Sequence, residues 1–225
     1  MPVGIVTGAS RGLGLALASA LVDRGWHLAV DARGAEALHE AWGRASSVIA
    51  IAGDLADPAH RRALLEAARG PLDLIVNNAS VLGPSPQPAL RAYPLKELRR
   101  VYEVNVVAPV ALVQLALPRL AASARILNVT SDAAVEAYEG WGGYGSAKAA
   151  LDQISAVLAV EHPELRVYAV DPGDMRTQMQ QEAFPGEDIT DRPPPEESVP
   201  GLLTLIEGDL PSGRYRAREL ARVTA

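Results

Sequence analysis

Several common functional patterns are missing from this sequence of 225 residues. It contains no cysteine, which excludes a disulfide framework and any cysteine-ligated metal. Its four histidines are scattered without the spacing of metal ligands. It has no basic run, and its formal net charge is −6 with a pI of about 5.3. We therefore expect no metal and no nucleic-acid partner.

Long apolar segments are also missing. The opening stretch MPVGIVTGAS lacks the basic region and apolar run of a signal peptide, and no apolar run has the length of a membrane span. Hydrophobic residues make up 48% and charged residues 21%, which is typical of a globular chain. We therefore expect a cytoplasmic protein without a membrane partner.

What the chain does contain is an alternation of short apolar runs and longer amphipathic ones. The apolar runs predict buried strands at 3–8, 27–32, 47–55, 72–80, 124–131 and 165–173. The intervening segments predict helices, of which two are long, over 94–120 and 144–162. Such an alternation is typical of a parallel sheet with helices on both faces. The predicted fold is therefore a three-layer α/β/α single domain over 1–225, with a doubly wound parallel sheet.

A glycine-rich stretch, TGASRGLG (7–14), lies between the first strand and the first helix. Gly8, Gly12 and Gly14 have the spacing G-x-x-x-G-x-G. Their missing β-carbons let a tight turn form and let pyrophosphate approach the backbone at the helix N-terminus. A glycine-rich turn without a ligand is the alternative, but the strand-turn-helix context favours a nucleotide site.

The end of the second strand, VDAR, bears on which dinucleotide binds. An acidic residue there usually holds a free ribose, whereas arginine suits a 2′-phosphate. If Arg33 faces the ribose with Arg11 beside it, two guanidiniums meet that phosphate, which favours NADP over NAD. If the strand register differs by one residue, Asp31 would instead be the acidic group at the ribose. Asp54 ends the third strand. Its side chain either bonds the amino group of adenine or forms a turn or cap before the next helix.

Tyr144 and Lys148 are four residues apart and so share one helix face. An ammonium near a phenol favours the phenolate, which makes the tyrosine a usable general acid or base. Ser131 ends the fifth predicted strand and could bond the same substrate oxygen, with Thr130 as a rival one residue away.

Asn105 lies inside the long apolar helix, four residues before Pro109. Proline has no N–H, so the Asn105 carbonyl loses its helical partner. That carbonyl could hold a water that reaches Lys148 as a proton relay. The alternative is a simple kink with the Asn105 side chain buried and hydrogen-bonded.

Seven motifs occur in one order over about residues 1–180: TGASRGLG (7–14), GDL (53–55), NNAS (77–80), VYEVN (101–105), Ser131, YGSAK (144–148) and DPGDMRT (171–177). Together they resemble a short-chain dehydrogenase/reductase, and the middle of the chain resembles that family's sepiapterin reductase branch. The resemblance implies a Rossmann-like fold and a catalytic set of Asn105, Ser131, Tyr144 and Lys148. It also implies that Tyr144, Lys148 and a further group of residues bind the dinucleotide: Gly8, Ser10, Arg11, Gly12, Leu13, Gly14, Arg33, Asp54, Leu55, Asn77, Asn78, Ala79, Pro172, Gly173, Met175 and Thr177.

The chain also departs from the family pattern. Ser80 stands where the family's N-N-A-G has glycine, and Met175 where valine or isoleucine is usual. The C-terminal PSGRYRARELARVTA differs from the family's glycine-rich end, and it has Arg214, Arg216 and Arg218 near the place where the sepiapterin reductase branch keeps a pterin-anchoring aspartate.

The resulting prediction is an NADPH-dependent oxidoreductase that acts on a small-molecule carbonyl or alcohol. Residues 174–200 are expected to form a mobile substrate lid, and Trp141, Val81 and Leu82 a partly apolar pocket. The long helices favour a homodimer over a homotetramer. The alternative from another class is a regulator that binds NADP(H) without turning it over. The complete Ser–Tyr–Lys set argues against that alternative.

Overall fold

Seven strands form one parallel sheet in the computed structural model of the protein, which describes residues 1–221. Their order across the sheet is β3-β2-β1-β4-β5-β6-β7, so the strand order reverses between β1 and β4. The strands are β1 (Val3–Val6), β2 (His27–Ala32), β3 (Val48–Ala52), β4 (Leu72–Asn77), β5 (Leu120–Val129), β6 (Arg166–Asp171) and β7 (Gly213–Arg216).

Helices connect the strands and cover both faces of the sheet. They are α1 (Gly12–Val22), α2 (Ala35–Trp42), α3 (Pro58–Ala67), α4 (Leu95–Tyr102), α5 (Ala108–Ala116), α6 (Gly142–Glu161), α7 (Gln178–Ala183), α8 (Val199–Glu207) and α9 (Ala217–Ala221). Short 3₁₀ turns lie at Leu90–Ala92, Leu117–Arg119, Asp132–Ala134 and Pro195–Ser198.

The core has two sides because successive strand residues point to opposite faces of the sheet. Val6 of β1 packs into a cluster with α1, α2 and α8, whereas its neighbour Ile5 packs into a cluster with α3 and α5. Both side chains are fully buried. This alternation confirms the predicted three-layer, doubly wound α/β fold.

The predicted helix over 94–120 is interrupted. It consists of α4, a π-helical turn at Glu103–Val107, α5 and a 3₁₀ turn. The continuous run Leu95–Arg119 is long and apolar enough, by length and composition, to cross a membrane, contrary to our expectation that no apolar run has that length. Half of its most apolar window is buried inside the protein, as in ordinary core helices, so it is weak evidence for a span.

Three elements went unpredicted near the C-terminus, among them the short helix α9. The strand β7 pairs in parallel with β6 at the edge of the sheet, and α7 lies inside the segment expected to be a lid. The fifth strand also ends two residues earlier than predicted, at Val129, which leaves Ser131 on the following turn.

Candidate active site

The carboxyl ends of the strands open into one cavity of about 1150 Å³. In an open parallel sheet, ligands bind at this edge, where the strand order reverses. All but two of the predicted site residues line the cavity, the exceptions being Asn77 and Asn105.

The glycine loop forms the floor at one end of the cavity. Gly8 and Gly12 have positive φ values of 69° and 56°, which L side chains rarely adopt. A β-carbon on Gly14 would lie 2.3 Å from the Gly8 carbonyl oxygen. The loop therefore needs glycine at all three positions, and its bare backbone suits the close approach of a pyrophosphate.

Backbone and side-chain groups after β4 hold this loop in place. The Thr7 hydroxyl accepts hydrogen bonds from the backbone N–H groups of Asn78 and Ala79, each at 3.0 Å. The Asn78 side chain in turn donates to the Thr7 carbonyl at 2.8 Å. Asn78 and Ala79 thus contribute to the cavity partly by fixing the glycine loop.

Asp31 also supports the glycine loop. Its side chain is 2% exposed, accepts a hydrogen bond from the Gly8 N–H at 2.8 Å, and lies 3.0 Å from Nε2 of buried His60. Both carboxylate oxygens are therefore engaged with protein groups. Sequence reasoning missed His60, which packs so closely on Gly53 that a β-carbon there would collide with the His60 ring.

Three arginines line the cavity: Arg11, Arg33 and Arg100. Arg33 is exposed at the end of β2, and Arg11 donates to the side chain of Gln178 on α7. Arg100, which sequence reasoning missed, forms an ion pair with Asp54. Partial burial raises the pKa of Asp54, but bonds from the Ala56 N–H and Arg100 outweigh it and leave the pKa below its ordinary value.

Those contacts bear on the two interpretations of Asp54. One of its oxygens accepts from the Ala56 N–H at 2.9 Å, and its carbonyl accepts from the Asp57 N–H at 2.8 Å. Asp54 therefore forms a turn before α3. Its side chain is still 42% exposed, which leaves it accessible to a ligand.

Tyr144 and Lys148 form the opposite end of the cavity, on the first turns of α6. The Lys148 Nζ lies 5.4 Å from the centre of the Tyr144 ring and donates to the Val129 carbonyl at 2.7 Å. Both side chains are buried. Their i, i+4 spacing on one helix therefore places ammonium and phenol side by side, as predicted.

Burial shifts the pKa values of this pair. It lowers the pKa of Lys148 to about 8, because the charged form loses its hydration, while the nearby Asp152 acts in the opposite direction. Burial raises the pKa of Tyr144, and the carboxylates of Asp132 and Asp171 add to that rise. The Ser80 side chain acts against that rise, but the pKa stays above its ordinary value, which is opposite to the shift that we expected from the neighbouring ammonium.

Ser131 begins the 3₁₀ turn that follows β5 and lines the cavity. Its hydroxyl donates to the Asp132 carboxylate at 2.8 Å. The rival Thr130 has a buried hydroxyl with no hydrogen-bond partner among residues 1–221. Both residues line the cavity, but only the Ser131 hydroxyl belongs to a hydrogen-bonded pair there.

Asn77 and Asn105 lie behind the cavity wall. Asn77 donates to the Asn128 side chain at 2.7 Å, which itself donates to the Ser155 hydroxyl at 2.8 Å. The Asn105 amide exchanges two hydrogen bonds of 2.9 Å with the backbone of Val81. Its side chain is therefore buried and hydrogen-bonded, while its backbone lies in the π-helical turn, a distortion that often marks functional sites.

Aromatic and aliphatic side chains surround Tyr144. Trp141 packs edge-on against the Tyr144 ring, with ring centres 5.9 Å apart, and also contacts Phe184 beyond α7 at 5.9 Å. Leu82 and Met179 belong to the same cluster. The wall beside the phenol is therefore partly apolar and includes part of the segment 174–200.

Comparisons with known proteins agree with this geometry. Residues 2–188 match the family model described as short chain dehydrogenase. Benzil reductase ((S)-benzoin forming) IRC24 from Saccharomyces cerevisiae is 34% identical over 193 residues, which cover 79% of this chain and 73% of that protein. Sepiapterin reductase from Mus musculus is 33% identical over 199 residues, which cover 79% and 75%. A short chain dehydrogenase from Shigella flexneri, solved in complex with NADP, has a TM-score of 0.84 and 27% identity and covers 96% of each chain.

The chain therefore belongs to the short-chain dehydrogenase/reductase family. Members of this family use NAD(P), and the relatives named here are oxidoreductases of carbonyl or alcohol groups. The family assignment made from the seven motifs is confirmed.

Proposed function

We propose that the protein is an NADPH-dependent carbonyl reductase that reduces a ketone or dicarbonyl to an alcohol, or catalyses the reverse reaction. The observation that carries the proposal is the burial of Tyr144 and Lys148 together at the wall of the cavity whose floor is the glycine loop. A dinucleotide-binding floor and a proton-transfer pair thus share one enclosed space.

Tyr144 is the acid in this proposal. Burial and two nearby carboxylates raise the pKa of its phenol, so the phenol is protonated at neutral pH and can donate to a carbonyl oxygen. Ser131 steadies the same oxygen once its hydroxyl turns away from Asp132. Lys148 holds the nicotinamide ribose, and the Asn105 carbonyl holds a relay water. A bound nicotinamide supplies or accepts the hydride.

The proposed preference for NADPH is supported by the charge at the ribose end of the cavity. The exposed Arg33 is suited to a 2′-phosphate, and Arg11 lines the same cavity. Asp31, the residue that would instead favour NAD, has both carboxylate oxygens engaged with Gly8 and His60. Its carboxylate is therefore buried and already used to hold the glycine loop and His60.

The remaining parts of the proposal concern the surroundings of the site. Residues 174–200 close over the substrate as a lid. Exposed apolar side chains on α5 and α6, including Leu115 at 37%, Val157 at 43% and Val160 at 81%, suit a homodimer interface. The proposed compartment is the cytoplasm.

The test is NADPH oxidation in the presence of ketones, diketones, quinones and pterins, with benzil and sepiapterin included because relatives carry those names. NADH is measured in parallel, and Tyr144→Phe is the control. Turnover with NADPH that disappears in Tyr144→Phe is the expected result. Near-full turnover in that variant would refute the role of Tyr144, and tight NADPH binding without any turnover would favour a regulator.

A further inference from the structure

Arg214 lies behind the catalytic groups, on the edge strand β7, where it pairs in register with Ala169 of β6. Its Nε donates to Oδ2 of Asp152 at 2.9 Å, and its Nη2 donates to the Ser131 carbonyl at 3.0 Å. Nη2 also lies 3.7 Å from Oδ2 of Asp171. One guanidinium therefore contacts three separate segments of the chain.

Each of those segments carries a part of the site. Ser131 is itself the proposed substrate-orienting residue. Asp152 lies on α6 one turn after Lys148, on the same helix face. Asp171 ends β6, and its Oδ1 accepts a hydrogen bond from the Gly173 N–H at 2.9 Å, which shapes the Pro172–Gly173 turn.

The two carboxylates depend on this guanidinium because they are buried. The side chains of Asp152 and Asp171 are only 15% and 7% exposed, and the second oxygen of Asp152 is buried with no hydrogen-bond partner among residues 1–221. Burial raises the pKa of Asp171, whereas Arg214 lowers it. Leaving a buried carboxylate without its cation is costly, so the carboxylates and the guanidinium hold one another in place.

We propose that Arg214 is a positioning residue that fixes Ser131, α6 and the Pro172–Gly173 turn in one arrangement for the reaction. This inference rests on the proposed reductase function. The planar guanidinium is suited to the task because Nε and Nη2 donate from separate positions in fixed directions, whereas an ammonium has a single nitrogen.

Arg214 also balances the charges around the acid/base pair. The charged groups that face Tyr144, Lys148 or Asp171 from the surrounding elements are Asp132 after β5, Asp152 on α6, Asp171 on β6, and Arg214 and Arg216 on β7. Removing Arg214 leaves Asp152 without its ion-pair partner and Asp171 with only the smaller effect of Arg216. The pKa values of Tyr144 and Lys148 should then both rise.

Two substitutions separate geometry from charge. Arg214→Lys keeps the charge but loses the three-way contact, so kcat should fall about tenfold to a hundredfold, as expected for misplaced reacting groups, with the pH profile unchanged. Arg214→Met should lower kcat as much and also move the rise of alcohol oxidation to higher pH. Arg216→Met is the matched control because it removes the same charge from the same strand, where Arg216 contacts the exposed Glu136 and Glu219.

Backbone amide hydrogen exchange gives a readout that does not require turnover. Arg214→Met should speed exchange in residues 130–134 and 173–175 and leave β3, at the far edge of the sheet, unchanged. The positioning role would be overturned if Arg214→Met kept the wild-type kcat and exchange rates. It would also be overturned if Arg216→Met changed kcat and exchange as much as Arg214→Met does. An inactive wild-type protein would instead refute the proposed function, and the exchange data would still decide whether Arg214 fixes these segments.

Discussion

Gly53→Ala tests whether the buried Asp31–His60 pair holds the glycine loop. A β-carbon at position 53 would lie 2.1 Å from His60 Nδ1 and 2.6 Å from two ring carbons, so the ring must move by more than an ångström. That ring is held by the Asp31 carboxylate, which itself receives the Gly8 N–H. The substitution therefore either strains the packing or breaks a buried pair.

The expected loss in the free energy of unfolding follows from those two outcomes. Overpacking a core costs about 1–3 kcal/mol, and breaking a buried pair costs about 3–5 kcal/mol. We expect Gly53→Ala to lower the free energy of unfolding by about 3 kcal/mol, where these ranges meet. In a His60→Ala background the new methyl group has room, so the same change should cost less than about 1 kcal/mol.

The assay is urea unfolding of the wild type, both single variants and the double variant, analysed as a double-mutant cycle. Gly213→Ala serves as the control, since its β-carbon would meet only ordinary contacts, the nearest at 3.5 Å. NADPH affinity is measured on the same proteins to follow the glycine loop. An equal cost of Gly53→Ala with and without His60 would refute the reasoning.

Three further outcomes are expected. Ser80→Ala removes a group that lowers the pKa of Tyr144, so in pH–rate profiles reduction should persist to higher pH and oxidation should begin at higher pH. Arg33→Ala should weaken NADPH binding about 10–100-fold in fluorescence titrations, because a charge-assisted bond is lost, while its affinity for NADH changes little. The exposed control Arg69→Ala should leave NADPH affinity nearly unchanged. Lys148→Met should abolish turnover yet raise the free energy of unfolding at pH 7 by about 1–3 kcal/mol, because the lysine charge is buried at a cost and only the Val129 carbonyl loses a bond. Unchanged or lower stability of Lys148→Met in urea unfolding would contradict the last of these.

The parts of the site that could be predicted from the sequence are those set by local spacing. Gly8, Gly12 and Gly14 lie on one turn, and Tyr144 and Lys148 on one helix face, so a few dihedral angles determine their geometry. The resemblance of the ordered motifs then supplied the rest of the cavity.

The contacts that could not be predicted join distant segments. Asp31 and His60 are 29 positions apart, and Arg214 and Ser131 are 83 apart. No local pattern records which acceptor a long side chain reaches. The strand β7 was missed for a related reason, because GRYR has the charged, half-exposed pattern of an edge strand and lacks the apolar run of a central one.

The helix α6 sets the relative positions of several side chains in and behind the site. The acid/base pair Tyr144 and Lys148 lies on this helix. Further along the same helix, Asp152 accepts a hydrogen bond from Arg214, and Ser155 accepts one from the Asn128 amide. Each added or deleted residue would turn everything beyond it by about 100° around the helix axis. Single-residue insertions between 144 and 155 should therefore abolish activity wherever they fall, whereas substitutions at the exposed positions of the same stretch should be tolerated. A deep mutational scan that includes insertions would show α6 as a segment whose length is constrained far more strictly than its composition.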